Sequence, residues 1–230
     1  MTDASDLPVV VVGFGGHGRV VADALRTSGR TIAAATDLHP DPTLSGKLGV
    51  DIITDDEMCE RFDASSVELA LGIGSIWPGT EDSTRCRVAR TLTGLGYRFT
   101  GFRHPAAWVS AMAAIDTTAQ IHAGAVVQTG ATIGEHVIVN TRASVDHDCR
   151  VEAFAHIGPA VTLSGDVCVG RGSHLGTGSC VIQGVTLGPA CFVAAGATVV
   201  SDVPAGQYVR GTPARAFQPS GPHAARFGGA

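Results

Sequence analysis

The sequence predicts two folds in succession, an α/β domain built on a parallel sheet and then a parallel β-helix. Strand-like and helix-like segments alternate over the first hundred residues, whereas helix-forming stretches disappear from the second half. From Val109 onward, an aliphatic residue recurs at every sixth position. A period of six fits neither an α-helix, with its 3.6-residue turn, nor a hairpin strand, whose side chains alternate.

The composition is that of a globular protein with a substantial core. Hydrophobic residues make up 44% and charged residues 16% of the 230 residues, which excludes a disordered chain. The net charge is -5 and no Lys/Arg cluster occurs, so we expect neither nucleic-acid binding nor a membrane-surface partner. The acidic residues 1–6 and the short apolar run that follows predict neither a signal peptide nor a membrane span, which favours a cytoplasmic location.

The cysteines predict free thiols. None of the six forms a C-x-x-C pair, and their spacing does not fit a zinc ribbon or finger. We therefore expect no structural metal.

The α/β part is expected to span residues 1–105. The predicted strands are 9–12, 31–36, 67–73 and 97–102, and the predicted helices are 19–28, 54–62 and 83–95. Alternation of this kind indicates a parallel sheet of about four strands.

A glycine-rich turn lies between the first predicted strand and the first helix. It reads Gly13-Phe14-Gly15-Gly16-His17-Gly18, a G-x-G-x-x-G pattern, and Asp37 follows the second strand. A tight turn at a helix N-terminus suits a phosphate, and a carboxylate at a strand end suits a ribose. The pattern alone is also compatible with a structural turn. A hundred residues is short for a dinucleotide fold, which argues against an NAD-dependent dehydrogenase.

The hexad repeat covers sixteen consecutive units without an insertion. Position one is Val, Ile or Leu in each unit from Val109 to Val199, and position five is Ala, Val, Cys or Ser. A large and a small side chain together fill a narrow interior, and each coil satisfies the backbone of the next. We expect this domain to span residues 106–215, with 216–230 as a loose tail.

His147 is the candidate general base of the repeat domain. The hexad register turns it outward, and it lies between Asp146 and Asp148. A neighbouring carboxylate orients a histidine ring and raises its basicity, although a solvent-exposed histidine without a role has the same pattern. If three hexads form one coil, residues eighteen apart stack on successive coils, and Gly165 then lies directly above His147. Its backbone N–H can then stabilise an oxyanion.

Two motifs carry a resemblance to a known family. One is the Gly13–Gly18 turn followed by Val20-Val21, and the other is the run from Asn140 to Cys149, which fits N-T-x-A-x-V-x-H-[DE]-C. Up to about residue 215, the chain resembles the hexapeptide-repeat sugar acyltransferases that include sialic-acid O-acetyltransferases and bacillosamine/perosamine N-acetyltransferases. The resemblance implies a left-handed β-helix with three hexads in each triangular coil.

The resemblance also implies a function: N-acetylation of a nucleotide-linked amino sugar with acetyl-CoA, in glycan biosynthesis, by a homotrimer without metal. The charge-poor flanks of the predicted β-helix suit such a threefold assembly. In this family the base and its acidic partner match His147 and Asp148, and the acetyl-CoA site matches Gly165, His156 and a C-terminal arginine, Arg210 or Arg215. The residues implied for the acceptor and its nucleotide are Gly13, Gly15, Gly16, His17, Gly18, Asp37 and Asn140.

Three alternatives compete with this interpretation. An O-acetyltransferase acting on a sialic-acid-type hydroxyl would use the same residues. A β-helix carbonic anhydrase would need an H-x4-H pair, which the sequence lacks, and a scaffold protein would need no base. The loop 77–82 is longer than in the relatives, and the sequence names neither the base nor the sugar. His174 is expected on the surface, without a role.

Overall fold

The structure is a computed structural model, and it describes residues 7–74, 77–78 and 83–218. The chain divides into two units. The first comprises residues 1–74 and 82–105, and the second comprises residues 75–81 and 106–230. No helix among the described residues combines the length and the hydropathy that a bilayer crossing demands.

A four-stranded parallel sheet forms the centre of the first unit, as the sequence predicts. Its order is β3-β2-β1-β4, with β1 (Val9–Val12), β2 (Ile32–Thr36), β3 (Ile52–Ile53) and β4 (Glu68–Leu71). All four valines of β1 are buried, because the central strand is covered on both faces.

Four helices accompany this sheet: α1 (Gly16–Thr27), α2 (Pro42–Leu48), α3 (Asp55–Arg61) and α4 (Thr84–Gly94). The start of α3 is fixed by a capping box between Thr54 and Glu57, which satisfies two otherwise unpaired N–H groups. The Asp41 carboxylate caps α2 by accepting hydrogen bonds from the backbone N–H groups of Thr43 and Leu44.

The sequence prediction was wrong in four places of this unit. Helix α1 begins at Gly16, three residues before the predicted start, and α2 and β3 were not predicted. The predicted strand 97–102 is only a single bridge at Phe99 followed by β5 (Phe102–Arg103). Segments of two to seven residues are too short for periodicity to reveal.

The second unit is a left-handed parallel β-helix of two-residue strands, as predicted. Its three flat sides are called faces 1, 2 and 3, in the order in which the chain visits them. Face 1 carries β6 (Trp108–Val109), β9 (Val126–Val127), β12 (Ser144–Val145), β15 (Thr162–Leu163), β18 (Cys180–Val181) and β21 (Thr198–Val199). Face 2 carries β7 (Ala114–Ile115), β10 (Thr132–Ile133), β13 (Arg150–Val151), β16 (Cys168–Val169) and β19 (Thr186–Leu187). Face 3 carries β8 (Gln120–Ile121), β11 (Ile138–Val139), β14 (His156–Ile157), β17 (His174–Leu175), β20 (Phe192–Val193) and β22 (Tyr208–Arg210).

The eighteen-residue register holds along each face. Val127 pairs with Val145, which pairs with Leu163, and all three side chains fill the interior. The last coil is shorter, because Phe192 pairs with Tyr208 only sixteen residues later. An antiparallel strand, β23 (Arg215–Ala216), then pairs with β22. Of the predicted tail, residues 219–230 lie outside the described residues.

The corners of the β-helix place position four of many hexads in the left-handed region. Glycine holds several of these positions, but Asp148 and Asp166 also have φ near +60°. Aspartate tolerates this conformation better than most residues. The corner between faces 1 and 2 thus presents an acidic side chain on two successive coils.

Candidate active site

His147 and Asp148 form a hydrogen-bonded pair at the corner between faces 1 and 2. His147 Nδ1 lies 2.9 Å from Asp148 Oδ2, and the Asp146 carboxylate accepts a 2.7 Å hydrogen bond from the His147 backbone N–H. The two side chains are 57% and 66% exposed. With its Nδ1 proton directed at the carboxylate, the neutral ring has its lone pair on Nε2, where a base can act on an incoming substrate.

The charges around this ring raise its basicity. The main cause is the hydrogen bond that the ring donates to the Asp148 carboxylate, which raises the pKa of His147 above its usual value. Desolvation is the next cause and lowers the pKa, whereas the charges of Asp146, Asp148 and Asp166 raise it. An imidazole in this setting is a stronger base than free histidine, as a proton acceptor in transfer chemistry requires.

Gly165 lies against the Nε2 end of the His147 ring, at the place that the register predicts. A Cβ at position 165 would be 3.1 Å from His147 Cδ2 and closer still to Nε2 and Cε1. Any other residue would therefore occupy the space beside the basic nitrogen. The glycine keeps this space open for a reacting group.

A second glycine at this corner was missed by the sequence analysis. Gly130 lies one coil before Asp148, and a Cβ there would be 3.3 Å from Asp148 Cγ and inside contact distance of Oδ1. The eighteen-residue register counted backwards from Asp148 would have found it. The pair is thus bordered by a glycine on the coil below and another on the coil above.

Within the part of the chain that the structure describes, no nucleophilic thiol accompanies the His147–Asp148 pair. Cys149 follows Asp148 but points inward, where burial raises the pKa of its thiol to about 11. Its Sγ donates to the Ser164 carbonyl oxygen at 3.1 Å. A buried, protonated thiol is a poor nucleophile, so the site offers a base without a covalent intermediate.

Asn140 and His156 meet on face 3. Asn140 Nδ2 lies 3.0 Å from His156 Nε2, and Asn140 Oδ1 accepts a 2.7 Å bond from the Thr141 backbone N–H. The second bond fixes the orientation of the amide, so Nδ2 donates to the imidazole. His156 Nε2 is consequently an acceptor, and the neutral ring has its proton on Nδ1.

His174 is buried, so the expectation that it lies on the surface was wrong. It is 8% exposed, and its ring meets His156 edge-on at 4.9 Å and stacks on Phe192 at 5.6 Å. Burial lowers the pKa of His174 to about 4. Trp77, from the loop that the sequence leaves unexplained, extends the stack by packing 5.2 Å from Phe192. Residues 79–82 of that loop lie outside the described residues.

The structure does not bring the Asn140–His156 pair and the His147–Asp148 pair together within one β-helix. Asn140 and His156 lie on face 3, whereas His147 lies on the corner between faces 1 and 2. In a triangular prism, this corner is the edge opposite face 3. Face 3 and the His147 corner therefore point away from each other.

The glycine-rich turn of the first unit is closely packed. A Cβ at Gly18 would be 3.0 Å from the Gly13 carbonyl carbon and 3.3 Å from the Gly72 oxygen. Gly13 has a φ of +87°, and its N–H donates to Thr36 Oγ1 at 3.2 Å. Backbone crowding explains why Gly13 and Gly18 are glycines even without a ligand.

Other parts of this turn are open. Gly15 and Gly16 have no atom within 4 Å of an added Cβ, although neither has the positive φ that requires glycine. They begin α1, whose first N–H groups can bind an anion. The Asp37 carboxylate follows β2 and accepts a 3.0 Å bond from the His39 N–H. His17 packs beside Gly74, 3.0 Å from an added Cβ.

Two arginines lie at the C-terminal end of the β-helix, where Arg210 in β22 pairs with Arg215 in β23. The Arg210 guanidinium lies 4.7 Å above the Phe217 ring, and Arg215 donates to the Ala214 carbonyl at 2.8 Å. A groove of about 340 Å³ lies beside them, lined by Gly206, Gln207, Tyr208, Ala216, Phe217 and Gln218. The described residues contain no cluster of His, Cys, Asp and Glu that could hold a metal ion.

Comparisons with known proteins identify relatives of this chain. Residues 8–80 match the PglD N-terminal domain family. The acetyltransferase domain of PglB from Neisseria gonorrhoeae, in complex with acetyl coenzyme A, is 32% identical. That match covers 93% of this chain and 100% of that one, with a TM-score of 0.84. PerB from Caulobacter crescentus, in complex with CoA and GDP-perosamine, is 36% identical over 91% and 97%, with a TM-score of 0.82.

A more distant structure shares the fold. WeeI from Acinetobacter baumannii is 18% identical over 92% of this chain and 100% of that one, with a TM-score of 0.74. No curated protein sequence matches the chain significantly. The identity and nearly full coverage of the Neisseria and Caulobacter enzymes show that this chain belongs to the family of hexapeptide-repeat nucleotide-sugar N-acetyltransferases and is an acyltransferase.

Proposed function

We propose that this protein transfers the acetyl group of acetyl-CoA to the amine of a nucleotide-linked amino sugar. Support comes from the relatives, since the Neisseria domain is complexed with acetyl-CoA and the Caulobacter enzyme with CoA and GDP-perosamine. The single observation that carries the proposal is the His147–Asp148 pair with Gly165 against its basic nitrogen.

His147 is the general base of the proposed reaction. The sugar amine attacks the thioester carbonyl carbon, and Nε2 takes the proton that the nitrogen loses. The tetrahedral intermediate then collapses, the C–S bond breaks, and CoA leaves as the thiolate. Asp148 holds the ring by Nδ1 and stabilises the imidazolium that forms. A Caulobacter variant with one histidine replaced by alanine still has CoA and GDP-perosamine bound. Binding in that enzyme therefore does not need that histidine.

Gly165 is proposed as the oxyanion donor. Its lack of a side chain lets the thioester approach the backbone beside His147 Nε2. A backbone N–H fixed by the β-helix is already oriented before the reaction, which is what makes such donors effective.

A second copy of the chain is proposed to complete the site. His156 and Asn140 lie on the face opposite the His147 corner, so one β-helix cannot bring them to the same substrate. In a homotrimer, the corner of one subunit can lie against face 3 of the next. Apart from Arg150, the outward residues of the strands on faces 1 and 2 are uncharged, which suits such packing.

The first unit is proposed to hold the nucleotide. The N-terminus of α1 at Gly15 and Gly16 has no side-chain cap and has space around it, which suits the diphosphate, and the Asp37 carboxylate suits the ribose or base. We expect Asp37→Ala to raise KM for the sugar substrate by about tenfold, the usual value of one lost polar contact. KM for acetyl-CoA should not change. Equal changes in both would refute this division.

A thiol-release assay tests the proposed function. Purified protein is given acetyl-CoA and a panel of UDP-, GDP- and dTDP-linked sugars, each as the amine and as the matched hydroxyl compound. Amine-dependent release of CoA with an N-acetylated product supports the proposal. Turnover of the hydroxyl compounds alone would favour the O-acetyltransferase alternative, and no turnover of any sugar would overturn both.

A cytoplasmic location stays a prediction.

A further inference from the structure

The position of the Asp148 carboxylate depends on the missing side chain at Gly130, one coil below it. The Asp148 carboxylate occupies the space over Gly130, where an added Cβ would be 3.3 Å from Cγ and 3.5 Å from the backbone nitrogen of Asp148. The Asp148 backbone cannot move away, since its N–H is bonded to the Thr129 carbonyl at 3.1 Å. Contact with a methyl group must therefore be relieved by rotation of the carboxylate.

We propose that Gly130 is a positioning residue for Asp148, and that the missing side chain at 130 keeps the carboxylate on His147 Nδ1. The proposal deepens the proposed function and rests on it only where it concerns catalysis. The three atoms nearest to an added Cβ at position 130 all belong to Asp148. Position 130 thus acts through Asp148.

The consequence for His147 follows from its surroundings. The groups that face its ring are Asp148, through the 2.9 Å bond, and the charges of Asp146 and Asp166. Rotation of the Asp148 carboxylate removes the bond and leaves the two other charges in place. The ring then loses the largest cause of its raised pKa and one restraint on its orientation.

Gly130→Ala is a usable variant, because the fold accepts alanine at this hexad position. Ala160 and Ala190 occupy position four with φ of +55° and +54°. Gly178 provides the matched control. It has a φ of +68° at position four of a hexad on another corner, is exposed, and has no atom within 4 Å of an added Cβ. Both variants carry the same backbone strain, and only one meets a carboxylate.

The experiment is an NMR titration of the His147 ring in the full-length wild type, Gly130→Ala and Gly178→Ala, with kcat measured on the same samples. Circular dichroism and light scattering first establish equal folding and assembly. We expect the pKa of His147 to fall in Gly130→Ala and stay at the wild-type value in Gly178→Ala. In Gly130→Ala, kcat should fall about tenfold, less than the hundredfold or more expected from loss of the base itself.

The possible results separate the two levels of the proposal. An unchanged His147 pKa in Gly130→Ala, or an equal fall in Gly178→Ala, overturns the positioning role. A lowered pKa with unchanged kcat supports the positioning role and shows instead that His147 is not the base. The positioning claim is thus tested without relying on activity.

Discussion

The two histidine regions of the β-helix have opposite environments. At the corner between faces 1 and 2, His147 is 57% exposed, bonded to a carboxylate, and has a raised pKa. On face 3, His156 and His174 are 7% and 8% exposed, and burial lowers the pKa of His174 to about 4. The hexad register places all three side chains outside the β-helix interior, but their partners differ: His147 is bonded to the Asp148 carboxylate, and His156 is bonded to the Asn140 amide.

This difference indicates a division of roles. The proposed general base must reach the substrate and must stabilise a positive charge, and an exposed ring bonded to a carboxylate can do both. The buried His174 ring, with its pKa lowered to about 4, stays neutral at physiological pH and contributes shape. The amide of Asn140 defines the hydrogen-bond direction of His156.

Replacement of His147 is the strongest test of the difference between the corner and face 3. His147→Ala and His147→Asn should lower kcat by roughly a hundredfold to ten-thousandfold, the usual contribution of a positioned base. KM should change little, because the ring acts on a proton in transit. Steady-state kinetics at neutral pH provide the measurement. Retention of more than about half of the wild-type kcat would show that the corner is not the catalytic region.

Mixed trimers test whether the two regions work together across subunits. We expect His147→Ala and His156→Ala to be nearly inactive separately and to recover activity when their subunits are mixed. With sites between adjacent subunits, one of the three sites in each mixed trimer contains both native histidines, so about a third of the wild-type activity should return. Co-expression with two affinity tags, followed by purification on both, gives the sample. No recovery in a verified mixed trimer would place both histidines in one subunit's site or separate His156 from catalysis.

Asp148→Asn tests the electrostatic half of the comparison. The ring remains but loses its anion, so kcat should fall about tenfold and less than in His147→Ala. The active form of His147 is unprotonated, so the rate rises with pH through its pKa. The pKa is raised in the wild type, and removal of the charge should shift this limb to lower pH. A pH–rate profile in which the limb keeps its wild-type position would contradict the assigned partner.

His174→Phe tests the buried region and should have the smallest effect on catalysis, about twofold or less on kcat, because a flat ring is retained. Its main effect should be on acid stability. The unfolded histidine binds a proton below pH 6.5, but the folded one does so only below about pH 4. The wild type therefore loses stability as the pH falls through this window, by up to about 3 kcal/mol. Urea melts at pH 7 and pH 4.5 should show a smaller loss in the variant than in the wild type.

Most of the fold could be predicted from the sequence. The aliphatic residues at position one repeat every six residues, which predicts a parallel β-helix with a narrow interior. The resemblance to the hexapeptide-repeat family added three hexads per coil, and with them the eighteen-residue register. The same register predicted that His147 points outward and that Gly165 lies against it. Gly130, eighteen residues before Asp148, could have been found by the same count. The strand–helix alternation predicted the parallel sheet of the first unit in the same way.

The hexad register does not predict how deeply an outward side chain is buried, and this became clear only in the folded structure. Burial of an outward side chain depends on what covers it, so His174, which the pattern places outside, is enclosed beside Phe192 and loses its basicity. The short elements α2 and β3 are stabilised by tertiary packing, and they are too short to show a hydrophobic period in the sequence. The separation of His156 from the His147 corner also follows only from folding the repeat into three faces. Residues nine apart in the chain then lie on opposite sides of the prism.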